Sequence, residues 1–363
     1  MGWILSHRNK AVFTFKGHRS KKIFKLKNFS EKMKADLPYY WCRDSIDRNI
    51  ILNEAARRGI EIEPFPQSQG YFLLTFKGHK EILGYLNTSS LGWLAGRISK
   101  NKRHTKWLLR KEGVKTPIGD AFKKGEEGKI SDWVAEKKVI VKPNKGACGK
   151  NVYLCKDAYE AIQAAKEIWN SGSPAALVEE FFPGKEYRVF ATREGFVAVC
   201  NRVPANVIGD GRSTIEDLVE EKNKDRGPPE EHYVWLPIKI DNVVIEFLES
   251  RGKNLKYVPK EGEQVFLRAN SNLSTGGDSI TIPRESLDKK VEDIAMRCLF
   301  AVPGMAYAGI DLICEDIRGF DDYRVIEINK SPGMTNHHYP NFGEPQNAAG
   351  ALIDQIFPET RGL

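Results

Sequence analysis

The stretch "RVIEINKSPGMTNHH", residues 324–338, decides the fold. Its first half reads as a buried strand, Val325 to Ile328, yet it carries Glu327 and Asn329 two positions apart. Side chains alternate along a strand, so this spacing predicts that the carboxylate and the carboxamide share one face while Ile326 and Ile328 take the other. A second apolar strand, "YAGIDLIC" at 307–314, holds one acid, Asp311, in its middle. A lone buried carboxylate costs several kcal/mol unless a partner compensates it. The two strands are therefore expected to form a hairpin that gathers Asp311, Glu327 and Asn329. Hard oxygen donors of this kind suit Mg²⁺, which keeps several waters and leans on substrate phosphates.

A metal shared with a nucleotide calls for cations and a glycine loop to meet the phosphates. Lys142 ends the apolar run "VIV" and precedes "PNKGACGK", where Gly146 and Gly149 let backbone amides approach an anion. The loop is not of the Walker type, since "GxxxxGK[ST]" is absent. Cys148 within it reads as a small loop residue, with a redox role as the other reading.

The chain has 363 residues, enough for two or three domains and a sizeable core. Hydrophobic content of 41% and charged content of 29% are ordinary for a soluble globular protein. Lys and Arg number 56 against 48 Asp and Glu, a net +8. A solvated basic surface accounts for that excess, as would an anionic substrate or nucleic acid. Six cysteines with no CxxC pair argue against zinc and for reduced thiols. "MGWILSHRNK" is too short an apolar run for a signal peptide, and no stretch reaches the roughly 18 apolar residues of a membrane span. The expectation is a cytoplasmic protein that meets neither membrane nor nucleic acid.

Along the chain, "SIDRNIILNEAARRGIEIEPF" reads as a helix stopped by Gly59 and followed by a strand. "FTFKGH" at 13–18 recurs as "LTFKGH" at 74–79, each placing Lys-Gly where a hairpin turns. Residues 102–113 form a basic amphipathic helix ended by Gly113, with further helices expected at 214–224, 286–300 and 347–356. The first of these three has its N-cap at Ser213 or Thr214. Strands and helices mix without βαβ alternation, so the fold class is α+β.

Taken in order, these motifs resemble the ATP-grasp carboxylate–amine ligases. The resemblance runs from about residue 70 to 358 through "TSSLGWLAGRISKNKRHTKWLLRKEGVKTP", "VIVKPNKGACGKNV", "VEEFFPGKEYRV", "NRVPANVIGDGRSTIEDLVEEKN", "VPKEGEQVFLRANSNLSTGGDSI" and "RVIEINKSPGM". It is strongest to the ATP-grasp half of cyanophycin synthetases and of bifunctional glutathione synthetases. The family implies a pre-ATP-grasp α/β domain over 1–100, a lid subdomain over 101–185 and a metal-binding catalytic subdomain over 186–363, with nucleotide between the last two. It also implies ATP with two Mg²⁺ ions, Mn²⁺ being able to substitute. The reaction expected is activation of a carboxylate as an acyl phosphate, which an amino-acid or peptide amine then attacks.

The resemblance assigns roles to single residues as well. Asp311, Glu327 and Asn329 match its magnesium ligands. Lys106 and Lys142 match its paired phosphate lysines. Glu179, Glu180 and Phe181 match the segment that holds adenine, and Glu186 the acid on the ribose hydroxyls. Arg202 and Arg268 match arginines on the transferred phosphate, with Asn272 opening a turn beside them. "NKSPGMT" is also similar to the loop of D-alanine–D-alanine ligases that meets the amino-acid substrate. This places Ser331, Gly333, His337 and His338 near substrate, and Arg188 is a further substrate candidate. Glu186 with Arg188 as a surface ion pair, and the two histidines as polar residues ending a loop, are the plainer readings.

Departures from the family shape the expectation. No P-loop module of the cyanophycin type and no glutamate–cysteine ligase module can be found in the chain, so a stand-alone ligase is expected, with room for a homodimer. Gly309 stands two residues before Asp311, where D-alanine ligases carry an arginine; Arg268 is the candidate to replace that charge. A small-molecule kinase is the alternative reaction, and a non-catalytic nucleotide-binding regulator a third reading.

Overall fold

The computed structural model describes residues 35–39, 41–42, 45–67, 70–145 and 151–363, together with the paired strands Trp3–Ser6 and Lys10–Phe13. Gly146, Cys148 and Gly149, and the first "FTFKGH" copy beyond Phe13, lie outside these residues. The chain forms two compact units. One comprises Met1–Asp36, Arg43–Ile46 and Val203–Asp278, the other Leu37–Cys42, Asp47–Arg202 and Ser279–Leu363.

The helix Ile46–Arg57, which from Asp47 onward belongs to the larger unit, ends where Gly59 turns to φ 74°. A four-stranded meander follows: Glu61–Pro64, Tyr71–Phe76, His79–Gly84 and Asn87–Thr88. Its central turn is the expected Lys-Gly pair, with Lys77 at φ 48° and Gly78 at φ 86°, the positive-φ geometry of a tight hairpin. A second sheet has the order Gly119–Phe122, Ala176–Glu180, Val139–Pro143, Tyr153–Cys155. The helices Glu127–Val134 and Ala158–Asn170 give this sheet its core, where Ile130, Val134 and Ile168 meet Val141 and Val178.

The third sheet has the order Asp278–Ile282, Val197–Val203, Lys185–Thr192, Tyr307–Cys314, Tyr323–Asn329. Tyr187, Val189, Val199, Ile310, Leu312 and Ile328 pack in one core with Val291, Ile294 and Cys298 of the helix Lys290–Ala301 and with Leu109 of the helix Lys102–Lys111. Each such side chain contributes about 1.5–3 kcal/mol by leaving water. That apolar face anchors the sheet, and its other face is free to be polar. The helix expected from 286 begins at Lys290, because Arg284–Ser286 is a separate 3₁₀ turn and the Asp288 carboxylate accepts from the Lys290 N–H.

The smaller unit pairs Asn206–Ile208 with Gln264–Phe266 and adds the helices Ile215–Asn223 and Asn242–Glu249. Thr214 is the N-cap of the first, in a reciprocal capping box with Asp217. Antiparallel pairing prevails in the sheets of both units, with a parallel bridge between Ile280 and Phe342, so the α+β class is the one observed. Among the described residues no helix is long and apolar enough to cross a membrane.

Candidate functional site

The strands Tyr307–Cys314 and Tyr323–Asn329 form the expected hairpin, and their register sets Asp311 opposite Glu327 and Gly309 opposite Asn329. Residues opposed in an antiparallel pair share a face, so Asp311, Glu327 and Asn329 lie on one side of the third sheet. Strict alternation holds only from Glu327 onward. Leu312 pairs with Val325, which leaves Ile326 without a partner as a bulge. Val325 and Ile328 are therefore both fully buried, whereas Ile326 is only half-buried.

The neighbouring strand completes this face. Arg188 pairs in register with Asp311 on one side and Cys200 on the other, and Glu186 pairs with Arg202. The Arg188 Nε donates to Asp311 Oδ1 at 2.6 Å and its Nη2 to Oδ2 at 3.4 Å. Arg202 Nη2 lies 3.3 Å from Asp311 Oδ2 and is also bonded to Glu186. Burial alone would raise the Asp311 carboxyl; Arg188 and Arg202 outweigh it and hold the group below the usual carboxylate range. Arg188 also occupies the space over Gly309, since a Cβ there would come within 3.0 Å of its Nη1 and 3.2 Å of its Cδ. The guanidinium beside Gly309 is thus that of Arg188.

Glu327 Oε1 lies 3.4 Å from the Nζ of the buried Lys102, and Asn329 Nδ2 donates to Asp311 Oδ2 at 3.2 Å. Among the described residues no three His, Cys, Asp or Glu side chains converge as a metal-binding group. The third donor of this array is an amide, whose rotation presents its oxygen where its nitrogen now points. Two opposed carboxylates and an amide oxygen on one face fit a hard divalent cation in donor type. Asp311 would then exchange guanidinium contacts for the metal.

A second cluster lies in the second sheet. Lys142 and Glu179 belong to adjacent strands, and Lys106 belongs to the helix Lys102–Lys111, capped by Asn101. The Glu179 carboxylate is bonded to Lys106 and lies 2.8 Å from the Nζ of Lys142. All three residues are buried. Burial would raise the Glu179 carboxyl, but the two ammonium groups overcome this and keep it low. Burial also pulls the Lys106 ammonium down to about 7 against the attraction of Glu179. The cluster holds two cations to one carboxylate, an excess of positive charge suited to phosphate.

Beyond Glu179 the strand end is held by backbone and side-chain partners of the fold. Glu180 accepts from the Ile118 N–H at 3.2 Å and from Arg324 Nε at 3.2 Å. The Phe181 N–H donates to the Lys138 carbonyl, and the residue is 40% exposed.

The loop after the strand Tyr323–Asn329 is pinned by two residues that carry no mark in the sequence. Asp47 Oδ1 accepts from the Met334 N–H, the Thr335 N–H and the Thr335 hydroxyl, each at 2.6 Å. Its carboxylate lies so near Gly333 that a Cβ there would be 3.3 Å from Oδ2. Asn87 Oδ1 accepts from Lys330 Nζ and the Ser331 hydroxyl, each at 2.7 Å. No local signal marks Asp47 or Asn87, because their partners stand more than two hundred residues away. His337 is fully buried, with Nδ1 3.2 Å from Gln346 Oε1, and burial pushes it down to about 3. His338, held down to about 4 by burial, accepts the Ala349 N–H at 3.0 Å. Both imidazoles are neutral at physiological pH and face partners of the fold.

Arg268 and Asn272 belong to the smaller unit. Arg268 is buried, and its Nη2 donates to the Lys239 carbonyl at 3.1 Å and to Asp241 Oδ2 at 2.7 Å. The Asn272 carbonyl accepts from Thr275 and from the Gly277 N–H.

The profile of the phosphoribosylglycinamide synthetase ATP-grasp (A) domain matches residues 100–205. The glutathione biosynthesis bifunctional protein GshAB of Clostridium perfringens is 31% identical over 320 residues, 86% of this chain and 41% of that protein. The cyanophycin synthetase of Trichormus variabilis is 33% identical over 334 residues, 89% of this chain and 36% of that protein. The chain thus spans about two fifths of the length of these relatives. A crystal structure of a bifunctional glutathione synthetase from Pasteurella multocida superposes with a TM-score of 0.64 at 28% identity, over 87% of this chain and 44% of that one. By its matched segment, its relatives and its structural likeness, this chain has the ATP-grasp fold.

Proposed function

We propose that the chain is an ATP-dependent ligase that joins a carboxylate to an amino-acid or peptide amine through an acyl phosphate, releasing ADP and phosphate. The observation that carries this reading is the single sheet face on which Asp311, Glu327 and Asn329 stand beside Arg188 and Arg202. The likeness to a cyanophycin synthetase and to glutathione-biosynthesis proteins supports it. ATP-grasp ligases use ATP with a divalent metal; here the proposal is Mg²⁺, two ions, on Asp311, Glu327 and Asn329, with Mn²⁺ as a substitute. The domain division at residues 100 and 185 belongs to the same proposal.

When bound, the metal would screen the phosphate charge. The protein's own contribution is charge and position. Lys106 and Lys142 would leave Glu179 to face phosphate oxygens. Arg202, whose Nε is buried without a hydrogen-bond partner among the described residues, has a donor to spare for the transferred group. The substrate carboxylate attacks the γ-phosphorus, the bond to ADP breaks, and the acyl phosphate waits for the amine. The amine nitrogen then bonds to the acyl carbon, inorganic phosphate leaves, and the nitrogen sheds its proton. Little of this needs a covalent catalyst; alignment and charge stabilisation supply the rate.

Hydroxylamine tests the reading directly. With ATP, Mg²⁺ and a carboxylate substrate but no amine, a ligase yields a hydroxamate. A stable phosphorylated product, formed at full rate and inert to hydroxylamine, would establish a kinase instead.

A further inference from the structure

Lys330 follows Asn329 directly and, apart from its hydrogen bond to Asn87, has no role in the site described so far. Its ammonium has two neutral acceptors, Asn87 Oδ1 at 2.7 Å and the Ser331 hydroxyl at 3.2 Å. An ammonium carries three donors, so one is left over. Among the described residues no carboxylate lies within ion-pair distance of it, and the charged group that bears on it is another cation, Lys100. The stem is held as well. A Cβ at Gly96 would lie 3.3 Å from Lys330 Cδ and 3.9 Å from Cε, so the aliphatic chain runs flat across the glycine. A half-buried cation on a fixed stem, with a second cation nearby and no counter-ion, is built to receive an anion.

The same loop is tied down on both sides, by Asn87 at Lys330 and Ser331 and by Asp47 at Met334 and Thr335. The ammonium is therefore placed before any ligand arrives, which reduces the ordering cost of binding.

We propose that Lys330, cradled by Gly96 and oriented by Asn87 and Ser331, binds a substrate carboxylate other than the one that is phosphorylated. The inference rests on the ligase reading. An ammonium on the reacting carboxylate would stabilise a charge that phosphorylation consumes. A spectator carboxylate keeps its charge throughout, so a fixed cation binds ground state and transition state alike and acts on KM. Two sources share this chemistry: the carboxylate of an incoming amino acid or peptide, and the second carboxylate of an acidic acyl substrate.

The test is isothermal titration of the whole chain carrying Mg²⁺ and a non-hydrolysable ATP analogue. The probes are glycine, L-aspartate, L-glutamate and succinate, each against its carboxamide: glycinamide, L-asparagine, L-glutamine and succinamate. At least one carboxylate should bind about 10-fold or more tightly than its carboxamide, the scale of one charge-assisted hydrogen bond. Lys330→Met should erase that difference, Lys330→Arg should keep much of it, and affinity for the nucleotide analogue should not change in either. A Lys330-dependent preference for glycine over glycinamide identifies the amine substrate as the source, and one confined to the dicarboxylates L-aspartate, L-glutamate and succinate identifies the acyl substrate. The proposal is overturned if no probe binds, if every carboxylate binds like its carboxamide, or if Lys330→Met binds as the wild type does. Hydroxamate formation is read separately, so loss of the ligase reading and loss of the anion site are distinct results.

Discussion

Arg188 lies over Gly309, with its Nη1 3.0 Å from where a Cβ at that position would stand. The glycine makes room, and the arginine reaches Asp311 from the adjacent strand. A side chain at 309 would also meet Pro332 Cβ at 3.0 Å, so the strand has no slack on that side.

Gly309→Ala should therefore act through Arg188. Overpacking of this kind costs about 1–3 kcal/mol, readable by urea denaturation. Displacing the guanidinium should also remove most hydroxamate formation. A variant with wild-type stability and activity would show that the approach of Arg188 to Gly309 has no consequence.

Glu327→Gln keeps the shape of the side chain and removes a charge from the face proposed to hold the metal. The protein should fold and melt near wild type, since Glu327 is only half-buried and its cation Lys102 lies at 3.4 Å. ADP release at saturating Mg²⁺ should fall by orders of magnitude. Undiminished turnover would remove Glu327 from the metal set.

The Lys106–Glu179–Lys142 cluster predicts a non-additive result. Either lysine changed to Ala should weaken ATP binding by roughly 1.5–3 kcal/mol, measured by titration calorimetry. Both changed together strand a buried carboxylate, and stability should drop by about 3–5 kcal/mol. Adding Glu179→Gln to the double variant should restore most of that loss. Purely additive stability changes would mean that the carboxylate is not held as the structure shows.

Lys106 also sets a pH dependence. Its ammonium titrates at about 7 in the free protein because burial disfavours the charge. A polyphosphate beside it favours the charged form and raises that value. Binding of ADP at about pH 8 should then take up close to one proton, and at about pH 6 almost none. Affinity is fully present below 7 and declines as pH rises from there toward the pKa of the bound state. Calorimetry in two buffers of different ionisation enthalpy gives the proton count, and zero uptake at the higher pH would contradict the assignment.

The strands were legible because their chemistry is local: Asp311, Glu327 and Asn329 break apolar runs, and Gly59, Gly113 and the Lys77–Gly78 turn punctuate the chain. Gly309 stands out in the sequence, yet the cation over it is Arg188 and not Arg268, because Arg188 is paired in register with Asp311, 123 residues further along the chain. Asp47 and Asn87 were invisible for the same reason. The two histidines, conspicuous in "TNHH", turn inward because the short helix Thr335–His338 directs them to Gln346 and Ala349. Sequence reports which side chains are unusual; pairing across the sheet decides which of them meet.

The unpaired Ile326 has a consequence for how this strand tolerates insertions and deletions. Removing Ile326 would join Val325 to Glu327 while leaving both opposite their present partners, Leu312 and Asp311. Each would keep its face of the sheet, so that deletion should fold. Removing Ile328 instead would slip the strand by one residue and turn Glu327 toward the apolar side, where a carboxylate has no partner. Two neighbouring isoleucines, alike in composition, thus differ as spacer and as register mark.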